Sequence, residues 1–302
     1  MFRRVKWLLA AVLLVGACRQ EGTPLETPDA PPDPPDARSI WPDGTPHPAS
    51  EIWVLSWNIE TFPKTPEAPD LLADLLTQIN PDIVAVQEIR DVDAFVALDD
   101  RLPQYQRVLP QDNPGTQDTI VGLLYQPSVV TVSQIDTLFA DDSSAFPRSP
   151  LKVHASAGGV DFTMAIVHLK AQTDADSLAR RRDACLKLDA WVQSELAAGT
   201  ERDVMVIGDW NDKLTDAPPD NVFQVFLDAP SIYEFLTMPL AEAGEFTFVP
   251  FESLIDHALV TSDMRTDVVN SGSAEIMELD LSVDGYTDTL SDHRPLLVKL
   301  VP

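Results

Sequence analysis

Six apolar runs in this chain meet, at one end, side chains that make poor core and good chemistry. They meet Asn58; Gln87-Glu88; His168; Asp209 and Asn211 in Gly208-Asp209-Trp210-Asn211; Asp256-His257; and Asp292-His293 in Ser291-Asp292-His293-Arg294-Pro295. A lone Asp there usually forms a turn, and a lone His is usually a hydrogen-bonded structural residue. Six such ends together point to a site, because ligands converge where a scaffold holds strand ends and loops. The carboxylates of Glu88 and Asp292 and the amide oxygen of Asn58 suit a hard cation such as Mg²⁺, with Mn²⁺ and Ca²⁺ as alternatives. His168, His293, Asp209 and Asp256 are left for proton transfer and orientation. Phosphate-ester hydrolysis requires that set: a metal to neutralise charge, a base to align water, and donors for the pentacoordinate centre.

The elements that must position these residues follow from apolar periodicity. Strands are expected over 52–57, 82–87, 120–125, 162–169, 204–207, 254–260 and 295–301, and helices over 71–79, 92–102 and 178–196. Residues 82–87 form a continuous apolar run, as in a strand buried on both faces. Many strands with a few helices between them predict two packed sheets flanked by helices. No second linker is visible, so residues 51–302 are expected to form one domain. Cys185 falls on the same helical face as Leu178, Leu188 and Val192, which predicts a buried structural thiol.

The ordered motifs resemble the endonuclease/exonuclease/phosphatase superfamily, the deoxyribonuclease I-like fold. They are Ser56-Trp57-Asn58-Ile59-Glu60, Val86-Gln87-Glu88-Ile89-Arg90, His168-Leu169-Lys170, Gly208-Asp209-Trp210-Asn211-Asp212, Ile255-Asp256-His257 and Ser291-Asp292-His293-Arg294-Pro295. The resemblance spans essentially all of 51–302. It implies a four-layer α/β sandwich, two mixed β-sheets packed face to face with helices outside. It also implies residue roles. Glu88 would be the principal metal ligand, with Asn58 and Asp292 nearby. Asp209 would align or deprotonate water, Asn211 would hold a phosphate oxygen, and His168 would bind phosphate as acid or transition-state donor. His293 would be oriented by Asp256. His257 is read as structural. Arg90 and Arg148 resemble the phosphate-contacting arginines of the deoxyribonuclease I branch. Lys170 and one of Arg180, Arg181 and Arg182, taken as Arg181, would add positive charge. The chain departs from that branch at Thr119–Tyr125, where the tyrosine lies near the strand's end rather than its start. It also has no long aromatic hairpin of the kind membrane-acting sphingomyelinases use.

The implied function is a divalent-metal-dependent phosphodiesterase, an endonuclease acting on DNA or RNA. The alternatives are a phosphatase or phospholipase of the same fold, acting on inositol phosphates or sphingomyelin-like lipids, and an inactive surface binding protein. The chain has 302 residues, with 21 Lys and Arg against 48 Asp and Glu, a formal charge of −27. That excludes a polybasic nucleic-acid coat protein. It does not exclude an enzyme on nucleic acid, since charge beyond about 8 Å is screened at physiological salt. Two cysteines exclude a disulfide scaffold and a Cys-based structural zinc site. Residues 1–18 read as an export signal: Arg3, Arg4 and Lys6, then an apolar stretch, then Gly16-Ala17-Cys18. Leu14-Val15-Gly16-Ala17-Cys18 resembles a bacterial lipobox, which implies a lipidated Cys18 and an outer-membrane or cell-surface lipoprotein, facing outward or toward the periplasm. Residues 19–50 are rich in proline and aspartate and are expected to be an extended tether. No obligate protein partner is evident.

Overall fold

The computed structural model describes residues 47–110, 119–199, 201–267 and 269–301. The expected signal segment and all but the last four residues of the expected tether lie outside them. In chain order the strands are β1 (Ile52–Phe62), β2 (Ile83–Ile89), β3 (Gln106–Val108), β4 (Ile120–Tyr125), β5 (Thr131–Thr137) and β6 (Leu151–Ala157). They continue with β7 (Val160–His168), β8 (Val204–Asp209), β9 (Tyr233–Phe235), β10 (Asp256–Thr261), β11 (Val269–Ile276) and β12 (Leu296–Leu300). The longest helices are α1 (Ala68–Ile79) and α2 (Ala175–Ala198).

Among the described residues the strands form two six-stranded mixed sheets, ordered β11-β12-β1-β2-β4-β3 and β5-β6-β7-β8-β10-β9. Side-chain alternation sorts each strand onto two faces. Ile52, Val54, Ile83 and Ala85 of the first sheet share a core with Met164, Ile166, Met205 and Ile207 of the second. The opposite faces are covered separately. Trp53, Leu55 and Trp57 pack with Leu72, Leu76 and Ile79 of α1. Ala165, Val167 and Val206 pack with Ala184, Cys185 and Leu188 of α2. Three cores between helix, sheet, sheet and helix make the four-layer sandwich that the motifs imply.

Local chemistry sets the helix ends. Asn80 stops α1 in the left-handed region at φ 52°. α2 is capped before Ala175 by Asp174, whose carboxylate accepts from the Asp176 and Ser177 N–H groups, and after Ala198 by Gly199 with φ 68°. It therefore begins three residues before the periodicity predicts. The helix expected over 92–102 is a short α-helix, Val92–Val96, running into a 3₁₀ turn, Ala97–Asp100. Cys185 is buried, as its helical face predicts, and burial pushes its thiol pKa up.

Candidate active site

Each sheet contains one parallel pair, β1 beside β2 and β7 beside β8. Parallel strands end at the same edge, so Asn58 lies opposite Gln87 and His168 opposite Asp209. β10 runs antiparallel to β8 and starts at Asp256, directly across from Asp209. β12 runs antiparallel to β1, so the Asp292-His293 segment that leads into it reaches the same rim. Topology thus gathers six distant sequence segments at one edge of both sheets.

The strand ends are bent to aim their side chains. Pairing slips between Asn58 and Phe62 on β1 and between Val86 and Ile89 on β2. Glu60, Thr61 and Glu88 take positive φ of 39°, 49° and 66°, and Asn211 takes 56°. Such strain in non-glycine residues persists only where the surroundings impose it. Gly208, next to Asp209, has φ 143°, and a Cβ there would lie 2.1 Å from the Val167 carbonyl oxygen. Only glycine fits where β8 presses this closely against β7.

A hydrogen-bonded web fixes the reacting groups. Asn58 Nδ2 donates to Asp209 Oδ2 at 3.0 Å and to Glu88 Oε1 at 3.3 Å, joining the two sheets. The Thr61 N–H donates to Glu88 Oε2 at 2.8 Å and the Glu60 N–H to Asn58 Oδ1 at 3.0 Å. His168 Nε2 stands 3.4 Å from Asp209 Oδ2 and 3.8 Å from Glu88 Oε1. His293 Nδ1 donates to Asp256 Oδ2 at 2.8 Å, and its Nε2 lies 4.0 Å from Asp209 Oδ2 and 3.9 Å from Asp292 Oδ1. The Asn211 N–H donates to Asp209 Oδ1 at 2.9 Å, while its side-chain amide donates to the Leu169 carbonyl at 3.2 Å.

The two histidines are driven to opposite charge states. Burial opposes protonation of His293, but the carboxylates of Asp256, Asp209 and Asp292 outweigh it and hold the ring up to about 10. His168 is driven well below the ordinary histidine range by burial, then by the charges of Arg148 and His293. Asp209 is raised to about 7 by burial and by the Asp256 charge. Asp292 is raised to about 6, first by burial and then by Glu60 and Glu88, with His293 acting against the rise. An imidazolium, a neutral imidazole and a carboxylate of near-neutral proton affinity therefore share one rim.

At this rim, two acidic groups among the described residues could hold a metal; a third, His154, Asp161 and Glu201, lies at another part of the second sheet. Ligand atoms of Asp209, Asp256 and His293 lie within 4.8 Å of one another, but all three residues are buried and Asp256 is already paired with His293. Asn58, Glu88 and Asp292 offer only oxygen donors, and the side chains of Glu88 and Asp292 are 20% and 27% exposed. A small hard cation that keeps several waters suits the open carboxylates of Glu88 and Asp292, with the Asn58 amide buried behind them, so this second group fits it better.

The basic residues differ in placement. Arg148 is half-buried; its Nη1 donates to the Leu169 carbonyl at 3.3 Å, its Nε has no partner among the described residues, and Glu88 and Asp209 act on its charge. That leaves a desolvated guanidinium with spare donors beside the reacting groups. The Lys170 ammonium donates to the Ala171 carbonyl at 2.9 Å. Arg90 is exposed and lines a groove with Thr61 and Asp91. Arg181 departs from the expectation. It is buried, with Nε on Asp212 at 2.8 Å and Nη1 on the Lys170 and Gln172 carbonyls at 2.7 and 2.6 Å. A guanidinium so engaged clamps the loops after β7 and β8 rather than reaching for substrate. Arg180 and Arg182 donate to the carbonyls of Ser144 and Pro219.

Sequence reading missed the support behind these groups. Tyr286 takes the Trp57 indole N–H at 3.0 Å and donates to the His293 carbonyl at 2.5 Å. Ser291 donates to the Asn58 carbonyl at 2.6 Å and accepts from the His293 N–H at 2.9 Å. The Ser291 hydroxyl lies inside a quoted motif, whereas Tyr286 had no local signal. His257 is structural: Thr237 Oγ1 lies 3.0 Å from its Nδ1 and the Asp212 carbonyl 2.9 Å from its Nε2.

Residues 55–293 match the Endonuclease/Exonuclease/phosphatase family. No curated protein matches the sequence. Among solved structures, D. rerio TDP2 complexed with a single-strand DNA product is similar at 17% identity and TM-score 0.62, over 83% of this chain and 99% of that one. Truncated Caenorhabditis elegans TDP2 is similar at 16% identity and TM-score 0.60, over 83% and 98%. An endonuclease/exonuclease/phosphatase from Bacteroides vulgatus is similar at 18% identity and TM-score 0.60, over 83% and 98%. At these identities the likeness establishes the shared fold. The chain belongs to the endonuclease/exonuclease/phosphatase family, whose members are typically metal-dependent phosphoric-ester hydrolases.

Proposed function

We propose that this chain is a divalent-metal-dependent phosphodiesterase that hydrolyses nucleic acid. One observation carries the reading: the partly exposed carboxylates of Glu88 and Asp292, with buried Asn58 behind them, adjoin a buried Asp256–His293 pair and an Asp209 held at about 7. Asn58, Glu88 and Asp292 would hold the cation, which supplies charge neutralisation at the phosphate. Asp209 aligns the attacking water and takes its proton, as a base of near-neutral proton affinity does best. The His293 imidazolium and the Arg148 guanidinium stabilise charge growing on the non-bridging oxygens. Asn211 steadies a phosphate oxygen, and neutral His168 donates a hydrogen bond as the phosphorus becomes pentacoordinate. Exposed Arg90, in the groove it lines with Thr61, suits a substrate that extends beyond the cleaved bond.

The test is turnover of the purified chain on DNA, RNA, sphingomyelin and inositol phosphates with Mg²⁺, Mn²⁺ or Ca²⁺, and with a chelator. Cleavage of nucleic acid that the chelator abolishes is expected. Hydrolysis of lipid or inositol phosphate alone would give the site to the other branch of the fold, and no turnover at all would leave a binding protein.

We also propose export and anchoring through a lipidated Cys18, on the basic start, apolar stretch and small residues that precede it. One acyl chain anchors only marginally, so a multiply acylated cysteine is expected. In fractionation of the native host, the wild type should partition with detergent and Cys18→Ser should not. A wild-type protein free in the medium with its first residue beyond Cys18 would end the anchoring proposal.

A further inference from the structure

Every carbonyl from Leu169 to Gln172, in the loop that follows His168, has a side-chain donor. Leu169 accepts from Arg148 Nη1 at 3.3 Å and from the Asn211 amide at 3.2 Å. Lys170 and Gln172 accept from Arg181 Nη1 at 2.7 and 2.6 Å, and Ala171 accepts from the Lys170 ammonium at 2.9 Å. Gln172 is held at φ 88°, which a non-glycine residue keeps only where its surroundings impose it. The same Arg181 guanidinium turns its Nε to Asp212 Oδ2 at 2.8 Å, and both residues are buried. Asp212 follows Asn211 and is pinned at its other groups. Its Oδ1 accepts from the Lys213 N–H at 3.0 Å, and its carbonyl lies 2.9 Å from His257 Nε2. One planar group therefore spans from the loop after β7 to the loop after β8. Its base is rigid, because α2 packs on the second sheet through Ala184, Cys185 and Leu188.

Net charge is not what this pair adds to the cleft it lines. Lys213 and Asp216 line the same cleft, so two cations there face two carboxylates. What the pair adds is spacing. His168 and Asn211, which the proposed mechanism sets on one phosphate, stand at the roots of the two bridged loops. Close to the strands the loops are tied by the Leu169 N–H on the Asp209 carbonyl at 2.9 Å and by the Asn211 amide on the Leu169 carbonyl. Farther out, Arg181 and Asp212 close the ring. We propose that Arg181 and Asp212 are positioning residues, which fix the distance between His168 and Asn211 so that both reach the same phosphate. The proposal rests on the phosphodiesterase reading and deepens it. A lysine could not stand in for Arg181, because a compact ammonium on a flexible stem does not hold three acceptors in one plane.

The experiment measures kcat, KM and Mn²⁺ binding for Arg181→Lys and for Arg181→Met combined with Asp212→Leu, on a phosphodiester that wild type cleaves. The combined variant removes both charges at once, since removing one partner strands a buried charge. Each variant is read at a temperature where its melting curve shows it folded. Both should lose about 10- to 100-fold in kcat, as a misplacement of about 1 Å does. KM should stay within about threefold of wild type, the signature of contacts made only in the transition state. Mn²⁺ affinity by calorimetry should match wild type, because Asn58, Glu88 and Asp292 lie outside the clamped loops. Millimolar guanidinium should restore part of the kcat that Arg181→Ala loses, and sodium chloride at equal strength should not. A folded variant that keeps kcat within about threefold of wild type would overturn the positioning role alone. So would a loss of Mn²⁺ binding that parallels the loss of kcat, which is the mark of a collapsed site. A wild type inert toward every phosphodiester would overturn the functional reading with it.

Discussion

Asp209 is approached by Asn58 and His168 through one oxygen and by the Asn211 N–H through the other. Its proposed role as base therefore depends on charge as well as place. Asp209→Asn should fold normally and lose about 10²–10⁴-fold in turnover, as loss of a positioned base does. Glu88→Gln should lose a similar factor and also bind Mn²⁺ more weakly by calorimetry, and turnover above about a tenth of wild type would end its role as ligand. His293 yields a separate expectation for stability. Its folded pKa of about 10 exceeds the ordinary 6.5, so the protonated form favours the folded state. That contribution is complete below pH 6.5 and is lost as pH rises through 10. Denaturant unfolding between those limits should show wild-type stability falling, with a flatter profile for Asp256→Asn. His257 acts in the opposite sense. Burial lowers it to about 4, so what it contributes is present above 6.5 and is lost as pH falls toward 4.

At the level of elements, the proposed catalysis would depend on how closely β7 and β8 approach. Gly208→Ala drives a Cβ into the Val167 carbonyl at 2.1 Å. It should cost about 1–3 kcal/mol in unfolding experiments, the usual penalty of overpacking. Activity should fall as well, because Asp209 follows directly and its register with His168 would shift. Strands with continuous apolar runs were legible in the sequence: β2 and β4 lie where 82–87 and 120–125 place them. β5 was not, since Thr131–Thr137 is polar and mostly exposed at a sheet edge and carries no core-facing stripe. β3 and β9 are three residues each, too short for periodicity to register. α2 extends upstream because a capping aspartate, not an apolar face, sets its start. Arg181 was misjudged for a related reason. Spacing shows that one of three consecutive arginines turns inward, but only the folded loops show Asp212 waiting for it.

Across the whole molecule the charge of −27 opposes a polyanion, so a long substrate needs local cations that outweigh the distant field. Arg90 lines a groove with Thr61, whose N–H donates to Glu88. Arg90→Ala should reduce activity on polymeric DNA while sparing a small phosphodiester, and should lower the slope of log affinity against log salt by about 1. Equal losses on both substrates would place Arg90 in the reaction itself. A last consequence follows from Asn58, whose amide spans from Glu88 on one sheet to Asp209 on the other. The proposed metal ligands belong largely to the first sheet and the proposed base, Asp209, to the second, so the gap between them is set by the thickness of the apolar filling beneath. Activity is thus a caliper for the interior. Ala258→Val, inside the shared core and away from any reacting atom, should wedge the sheets apart and slow turnover, because a misplacement of about 1 Å can cost about 10²-fold. Ile207→Val on the paired strand removes one of the two added carbons and should recover part of the loss by letting the sheets close again.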